Sequence, residues 1–323
     1  MARLIELDDI LFPVLEHPVF VSVVGPNGER RLPVPDKKAI VNVTTSRVLG
    51  IVSRGYRLVT NREALDMARE CCQEAFPQTK PGEWQVSATD APNTGGHCYM
   101  DLVHNSTALD FSLVPAAERP DTFGPFIRVT NSYNALRALA FDIGFYRKVC
   151  KNGMILPETV ISFKFVHLRR NIGETIRFKI AHERLAKLNA DFRGHLTVLR
   201  DFGISRGDID RLVRGVLRLK QPEPLEQGTR EAVDWQALLR HVSKLNDRYV
   251  GELGENAYAA FNTITEFASQ PPSNRCLHRD RHGLQRLAGS WITAFSKECG
   301  KSTFSLGEYL DQLHNPKLEA ATT

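Results

Sequence analysis

The chain has 323 residues, of which 42% are hydrophobic and 24% are charged, and its formal net charge is +5. This composition is ordinary for a globular protein long enough for one large domain or two medium ones. The sequence has no run of ~18 apolar residues that could span a membrane, and its first residues do not resemble a signal peptide, so we expect a soluble, cytoplasmic protein without membrane contact.

The first sixty residues are predicted to form two pairs of strands. HPVFVSVVGPNGERRLPV (17–34) places a Pro-Asn-Gly turn between two strand-like runs. AIVNVTTSRVLGIVSRGYRLV (39–59) is rich in β-branched residues around a glycine-containing turn. A helix is then predicted over 60–76, with Thr60 or Asn61 as its N-terminal cap.

The middle of the chain is predicted to be a meander followed by a second helix. EWQVSATDAPNTGGHCYMDLVHN (83–105) is typical of a hairpin, and two further strands follow before residue 132. From about 132 to 151 the sequence predicts an amphipathic helix. Glycine costs about 1 kcal/mol relative to alanine inside a helix, so Gly144 suggests close approach by another backbone or a ligand. One stripe of this helix would hold Tyr133, Arg137, Gly144, Lys148 and Lys151.

The second half of the chain is predicted to be almost wholly helical. A strand at 158–171 precedes it, and a short helix is expected after a Ser205 cap. Further helices are expected at about 176–200, 230–250, 255–270, 280–298 and 305–314. The predicted fold class is therefore α+β, with a strand–helix–meander–helix core over 1–172 and a mostly helical region over 173–323, which either packs on the sheet or forms its own domain.

Charge is distributed unevenly along the chain. Residues 1–120 hold 12 Lys/Arg against 15 Asp/Glu, whereas residues 161–220 hold 14 against 6. Such asymmetry indicates either a polyanionic partner or a solvated helical face.

Motifs of known enzymes are missing from the sequence. It contains no phosphate-binding glycine loop, no nucleophile elbow and no H-E-x-x-H, and its acidic residues are too scattered for a metal-dependent nuclease. His278 and His282 could share a metal with Asp280, but the interleaved arginines favour the start of a surface helix. The six cysteines form no C-x-x-C pair. We therefore expect no catalytic residues, no metal and no cofactor.

Three blocks of the sequence resemble a known family. GYRLVTNREAL (55–65), RVTNSYNALRALAFDIGFYRKVCKNGMI (128–155) and ENAYAAFNTITEF (255–267) are similar to motifs of domain of unknown function 932. Lys151 stands where that family usually has serine, Tyr258 where it has tryptophan, and Phe267 where it has tyrosine. The resemblance implies a phage or plasmid setting and no established activity.

The predicted order of elements is also similar to the annealing core of Rad-fifty-two-type recombination proteins. In that family a helix of pattern A-L-x-R-A-L-x-x-F-G follows the meander, and ALRALAFDIGFYRKVCKNG (135–153) is similar in pattern. The resemblance implies an oligomeric ring that holds single strands in a basic groove without consuming a nucleotide.

The leading hypothesis is therefore a non-enzymatic homo-oligomer of a phage or plasmid that binds single-stranded DNA, including for strand annealing, through phosphate neutralisation and base stacking. The alternative is a mobile-element protein that binds a host defence or replication protein through its Arg-rich helical half. Each candidate cation could instead stabilise a helix end or guard a sheet edge. The candidate nucleic-acid-binding residues are Arg54, Tyr56, Arg57, Arg128, Tyr133, Arg137, Lys148, Lys151 and Lys164.

Overall fold

The protein has an α+β fold, as the sequence predicts, with two antiparallel sheets in its N-terminal half and helices in its C-terminal half. It is described by a computed structural model that covers residues 6–26, 28–76, 78–92, 94–106, 109–113, 121–148, 152–155, 162–165, 182–223 and 226–314. None of the helices in these ranges is both long enough and apolar enough to cross a membrane.

The first sheet has three antiparallel strands in the order β1 (Val14–Gly25), β2 (Gly28–Asn42) and β3 (Arg47–Ser53). The end of this sheet that is packed against the rest of the protein contributes Ile40 of β2 and Val52 of β3 to a small apolar cluster with Tyr133. The far end of the β1–β2 hairpin is exposed on both faces. The predicted strand pairs of the first sixty residues are thus confirmed.

Helix α1 (Asn61–Ala75) begins where the sequence predicts. The Thr60 hydroxyl accepts a hydrogen bond from the Glu63 N–H, and the Glu63 carboxylate accepts one from the Thr60 N–H. This capping box satisfies two backbone donors that a helix start otherwise leaves unpaired. The buried face of α1 packs against the larger sheet.

The larger sheet is an antiparallel meander with strand order β10-β8-β7-β5-β4, and the short β6 and β9 pair with β7 and β8. Its strands are β4 (Trp84–Asp90), β5 (His97–His104), β6 (Phe111–Ser112), β7 (Thr122–Ser132), β8 (Leu139–Arg147), β9 (Asn152–Ile155) and β10 (Ser162–Phe165). The predicted hairpin at 83–105 is confirmed as β4–β5.

The helix predicted over 132–151 is wrong, because β8 occupies Leu139–Arg147 and pairs with β7 from Phe123↔Arg147 to Thr130↔Ala140. Leu139, Phe141, Ile143 and Phe145 alternate along β8, and all four join the main core. A sheet therefore buries this segment's apolar residues at a period of two. Of the residues in the predicted helical stripe, Gly144 lies on β8, whereas Tyr133, Arg137 and Lys148 lie outside this strand, and Lys151 lies outside the described residues.

Gly144 is nevertheless approached by another backbone, as the sequence predicts. A Cβ atom added there would lie 2.3 Å from the Met154 carbonyl oxygen of β9 and 2.4 Å from the Phe126 ring. Any side chain at this position would force β9 and the Phe126 ring apart, because buried groups are already close-packed.

Within the described residues, the second half contains the helices α2 (His182–Asp201), α3 (Arg206–Val216), α4 (Arg230–Leu253), α5 (Ala257–Ser269), α6 (Arg281–Cys299) and α7 (Leu306–His314). The predicted Ser205 cap is confirmed, since its hydroxyl accepts the Asp208 N–H. Helix α5 is almost completely buried among its neighbours and contacts β9.

The helical half packs on the larger sheet. The Phe192 ring of α2 stacks on the Phe145 ring of β8 with centroids 4.5 Å apart, and one apolar cluster contains residues of both halves. The proposed division at residues 172 and 173 itself lies outside the described residues.

Candidate functional site

Three of the predicted nucleic-acid-binding residues are buried in the fold. The Tyr133 side chain is 1% exposed, and its hydroxyl oxygen accepts the Asn61 N–H at 2.8 Å, so the surface position predicted for this ring is wrong. The Tyr56 hydroxyl donates to the Ser132 carbonyl. Burial raises the pKa values of both phenols, because the charged form loses its hydration.

Arg128, the third of these residues, lies inside the protein between the sheet and α6. Its Nε and Nη2 atoms donate to the two carboxylate oxygens of Asp101 at 2.5 and 2.6 Å. Burial alone would lower the pKa of Arg128, but the charge and hydrogen bonds of Asp101 raise it above its usual value. Such a bidentate pair between neighbouring strands stabilises the fold as long as both partners remain.

Two asparagines in the motifs that resemble the family form hydrogen bonds between segments far apart in the chain. The Asn131 amide donates to the Val59 carbonyl at 2.9 Å and to the Asn61 side-chain oxygen at 2.8 Å. In the same way, the Asn152 amide donates to the Tyr249 hydroxyl at 2.9 Å and to Glu266 at 3.3 Å. These motifs therefore stabilise the contacts between strands and helices from within the fold.

The other predicted residues are spread over the molecule. Arg54 and Arg57 are exposed beside the first sheet, where Arg54 donates to the Pro35 carbonyl at 3.4 Å. Lys148 forms an ion pair with Asp110, and Lys164 lies on β10 with its Cα opposite Ala140. Lys151 lies outside the described residues. The candidates within the described residues therefore do not form one continuous stripe.

Arg137 lies at a cleft of about 690 Å³ between the β7–β8 face and the start of α6. A cleft of this size is typical of small-ligand sites. It is lined by Thr130, Leu136, Arg137, Ala138, Ala140, Asp142, His278, Arg279, Asp280, His282, Gly283 and Arg286.

The start of α6 is fixed on the sheet by ion pairs behind the cleft. Arg281 Nη2 lies 3.2 Å from Asp101 Oδ2, so Asp101 binds both Arg281 and Arg128. Burial lowers the pKa of Arg281, and the nearby positive charge of Arg128 lowers it further. Arg286 lies 3.9 Å from Asp142 at the wall of the cleft. These contacts determine where the lining side chains of α6 lie relative to the sheet.

The mouth of the cleft is more exposed and carries cations. Arg137 Nη2 lies 3.8 Å from Asp280 Oδ2, and each of these side chains is almost half exposed. Asp280 also caps α6 by accepting the Gly283 N–H at 2.8 Å. Arg279 is exposed and has no ion pair within the described part of the chain. Its guanidinium is therefore available to an anionic ligand.

Aromatic and hydroxyl groups complete the site. The His282 ring stacks on Tyr99, with centroids 4.6 Å apart and planes 12° apart. Burial raises the pKa of Tyr99 to about 12, and the neighbouring Asp280 charge acts in the same direction. The Thr130 hydroxyl is buried and finds no hydrogen-bond partner among the described residues. A ligand in the cleft could supply the missing partner.

The cleft therefore combines three arginines with two histidines and two aspartates. Arginine suits phosphate, because its planar donors can form two parallel hydrogen bonds to phosphate oxygens. Both aspartates face an arginine, so they restrict where an anion can sit. Across the described residues, no group of three or more His, Cys, Asp or Glu side chains could hold a metal ion.

The sequence predicts one lining residue, Arg137, as a nucleic-acid-binding candidate and considers His278, Asp280 and His282 only as metal ligands, whereas it does not indicate Arg279 and Arg286. The sequence favours the start of a surface helix over a metal site in CLHRDRHGLQR (276–286), and α6 does begin within this segment. Its dense arginine and histidine content is the signal that could have indicated a binding site. The pairing of this segment with Arg137 required the tertiary structure.

A family model described as Domain of unknown function (DUF932) matches residues 48–288. The matched range includes every lining residue of the cleft. Comparison with curated proteins and with solved structures gave no match.

Proposed function

The chain belongs to the family described as Domain of unknown function (DUF932), and we propose that it binds single-stranded DNA without acting on it chemically, including during strand annealing, for a phage or plasmid. The observation that carries this proposal is the convergence of Arg137, Arg279 and Arg286 on one cleft. A groove with several arginines is suited to a phosphate backbone, which gives affinity with little sequence readout.

Arg137 and Arg279 are the residues expected to contact phosphates first. Both side chains are exposed, whereas Arg286 is partly covered and faces Asp142 at 3.9 Å. A phosphate near Arg137 would displace the loose 3.8 Å contact between this arginine and Asp280. Because that contact is solvent-exposed, little stability would be lost in the exchange.

The test is a salt titration of binding to a fluorescently labelled poly-dT oligonucleotide, followed by anisotropy. Arg137→Ala with Arg279→Ala should weaken binding and flatten the plot of log K against log salt by about 1.4, because each single-strand phosphate contact contributes about −0.7. Arg62→Ala is the matched control, since Arg62 is an exposed arginine on α1 away from the lining residues. An unchanged slope in the double variant would refute the site, and absence of binding by the parent protein would refute the function.

The alternative, a protein interface formed by the Arg-rich helical half, has less support. Arg206, Arg211 and Arg214 on α3 each form an ion pair with an aspartate of the same chain. These pairs leave less net positive charge for an acidic partner than the sequence suggests.

A further inference from the structure

The β1–β2 hairpin presents an apolar surface with no cover from the described parts of the chain. From residue 21 to residue 33 every described residue is exposed, on both faces of a two-stranded ribbon. Among the described residues, nine of the eleven exposed large hydrophobic side chains lie between residues 15 and 51, so this surface is concentrated in one region. The nine are Leu15, Phe20, Val21, Val23, Val24, Leu32, Val43, Val48 and Ile51.

One edge of β1 is open. Among the described strands, β1 pairs with β2 alone, so its other edge presents unpaired N–H and C=O groups. Natural edges are usually protected by charged side chains, especially lysine. Residues 17–25 (HPVFVSVVG) include no Lys, Arg, Asp or Glu, and Glu16 is bound by Lys38 of β2 at 2.6 Å. Pro18, near the base, is the one residue of this stretch that opposes pairing.

A two-stranded ribbon exposed on both faces is marginally stable in water by itself. Three or more strands, or a packed face, are needed for independent stability. The hairpin therefore requires a further strand or a packed face, and the open, uncharged, β-branched edge of β1 favours a further strand.

We propose that two copies of the chain pair antiparallel through the open edges of β1, which joins two three-stranded sheets across a two-fold axis. The run VFVSVV (19–24) offers each copy an edge of high β-propensity with no like-charge repulsion. In a two-fold dimer the same surface is used by both subunits, so the unpaired backbone groups of one β1 edge can pair with those of the other copy. The inference concerns a surface separate from the arginine cleft, so it is independent of DNA binding.

The apolar area at the joint supports a dimer together with the hydrogen bonds of the paired edge. A large aliphatic side chain carries about 60–120 Å² of apolar surface, so six that are roughly half exposed present on the order of 180–360 Å². The six lie on β1 and β2 and are Leu15, Phe20, Val21, Val23, Val24 and Leu32. A standard interface buries about 800 Å² on each partner, and roughly 57% of it, about 450 Å², is non-polar. Val43, Val48 and Ile51 lie on β3 or just before it, at the opposite edge of the sheet, so they do not contribute to this joint.

The experiment places charge at the proposed joint. Val21→Lys with Val23→Lys puts two cations on one face of β1, where they would meet their copies across the two-fold axis. Sedimentation should give the parent a mass of twice 36.3 kDa and this variant a mass of 36.3 kDa. Val233→Lys, at an exposed valine of α4, is the matched control and should leave the parent mass unchanged. Circular dichroism checks that each variant is folded.

A second pair of substitutions, with the opposite charge, distinguishes loss of strand pairing from a general increase in solubility. Val21→Glu with Val23→Glu should also be monomeric, and an equimolar mixture with the lysine variant should regain the doubled mass. A parent that sediments at 36.3 kDa at every concentration overturns the proposal. A lysine variant that keeps the parent mass also overturns it, because the joint must then lie elsewhere. A parent mass that is not a multiple of 36.3 kDa would likewise overturn the proposal, because the partner would then be a different protein.

Discussion

The buried pair of Arg128 and Asp101 gives the sharpest test of the structure. We consider two substitutions, Arg128→Met and Asp101→Asn, which each remove one charge while conserving size. The Arg128 and Asp101 side chains are 2% and 8% exposed, so neither charge can be rehydrated in the folded protein. Removing one partner of a buried pair leaves the other uncompensated, which typically costs about 3–5 kcal/mol.

The two substitutions should differ, because Asp101 has a second partner. After Arg128→Met, Asp101 keeps Arg281 at 3.2 Å, so we expect a loss near 3 kcal/mol. After Asp101→Asn, the buried Arg128 guanidinium and Arg281 both lose their carboxylate, so we expect a loss near 5 kcal/mol. The double variant should lose less than the sum of the two, since it contains no unpaired Arg128 charge.

The assay is urea unfolding followed by tryptophan fluorescence, since the chain contains three tryptophans. Each folded variant is also titrated with labelled single-stranded DNA. Arg128→Met should lower the urea midpoint and leave the salt slope of binding unchanged, because the buried side chain cannot reach a phosphate. An Arg128→Met protein with the parent's urea midpoint and a flatter salt slope would refute this reasoning. It would restore Arg128 to the surface position that the sequence predicts.

Three further outcomes are expected. Gly144→Ala should lower the free energy of unfolding by about 1–3 kcal/mol, because the added methyl group overpacks the contact with β9. Gly194→Ala, at an open site on α2, should instead raise the free energy of unfolding by about 1 kcal/mol, and thermal melting of both variants tests the contrast. Tyr133→Phe should cost about 1–3 kcal/mol, because the buried Asn61 N–H loses its acceptor, and a parent-like urea midpoint would contradict this. Burial lowers the pKa of His195, so the neutral ring contributes stability above pH 6.5 that is lost as the pH falls. The melting temperature of His195→Gln should therefore drop less between pH 7.5 and pH 5.5 than that of the parent protein.

Local signals in the sequence determined many elements of this fold. The capping box of Thr60 and Glu63 determines the start of α1, and the Pro-Asn-Gly sequence predicts the β1–β2 hairpin, in which Gly25 pairs with Gly28. The Ser205 cap and the long helical periodicities of the second half were equally readable. In each case residues within a few positions of one another specify the backbone, so no distant contact is needed.

The segment 139–147 shows where local signals become ambiguous. Its apolar residues fit a helical stripe, yet Leu139, Phe141, Ile143 and Phe145 also alternate with a period of two. Pairing with β7 decides in favour of the strand, because the sheet buries all four of these side chains in the core. The choice depended on a partner strand and on the helices that cover it, and a short apolar run does not specify them.

Only the tertiary structure decided which polar residues are available at the surface. The sequence predicts Arg128 and Tyr133 as surface candidates, but both are buried. Arg128 forms an ion pair with Asp101, and the Tyr133 hydroxyl accepts the Asn61 N–H at the start of α1. Arg137 and Arg279 are 142 positions apart (279 minus 137) and line one cleft. Their meeting follows from packing α6 on the polar face of the sheet. Spacing along a chain contains no information about such contacts, because burial and proximity arise from non-local packing.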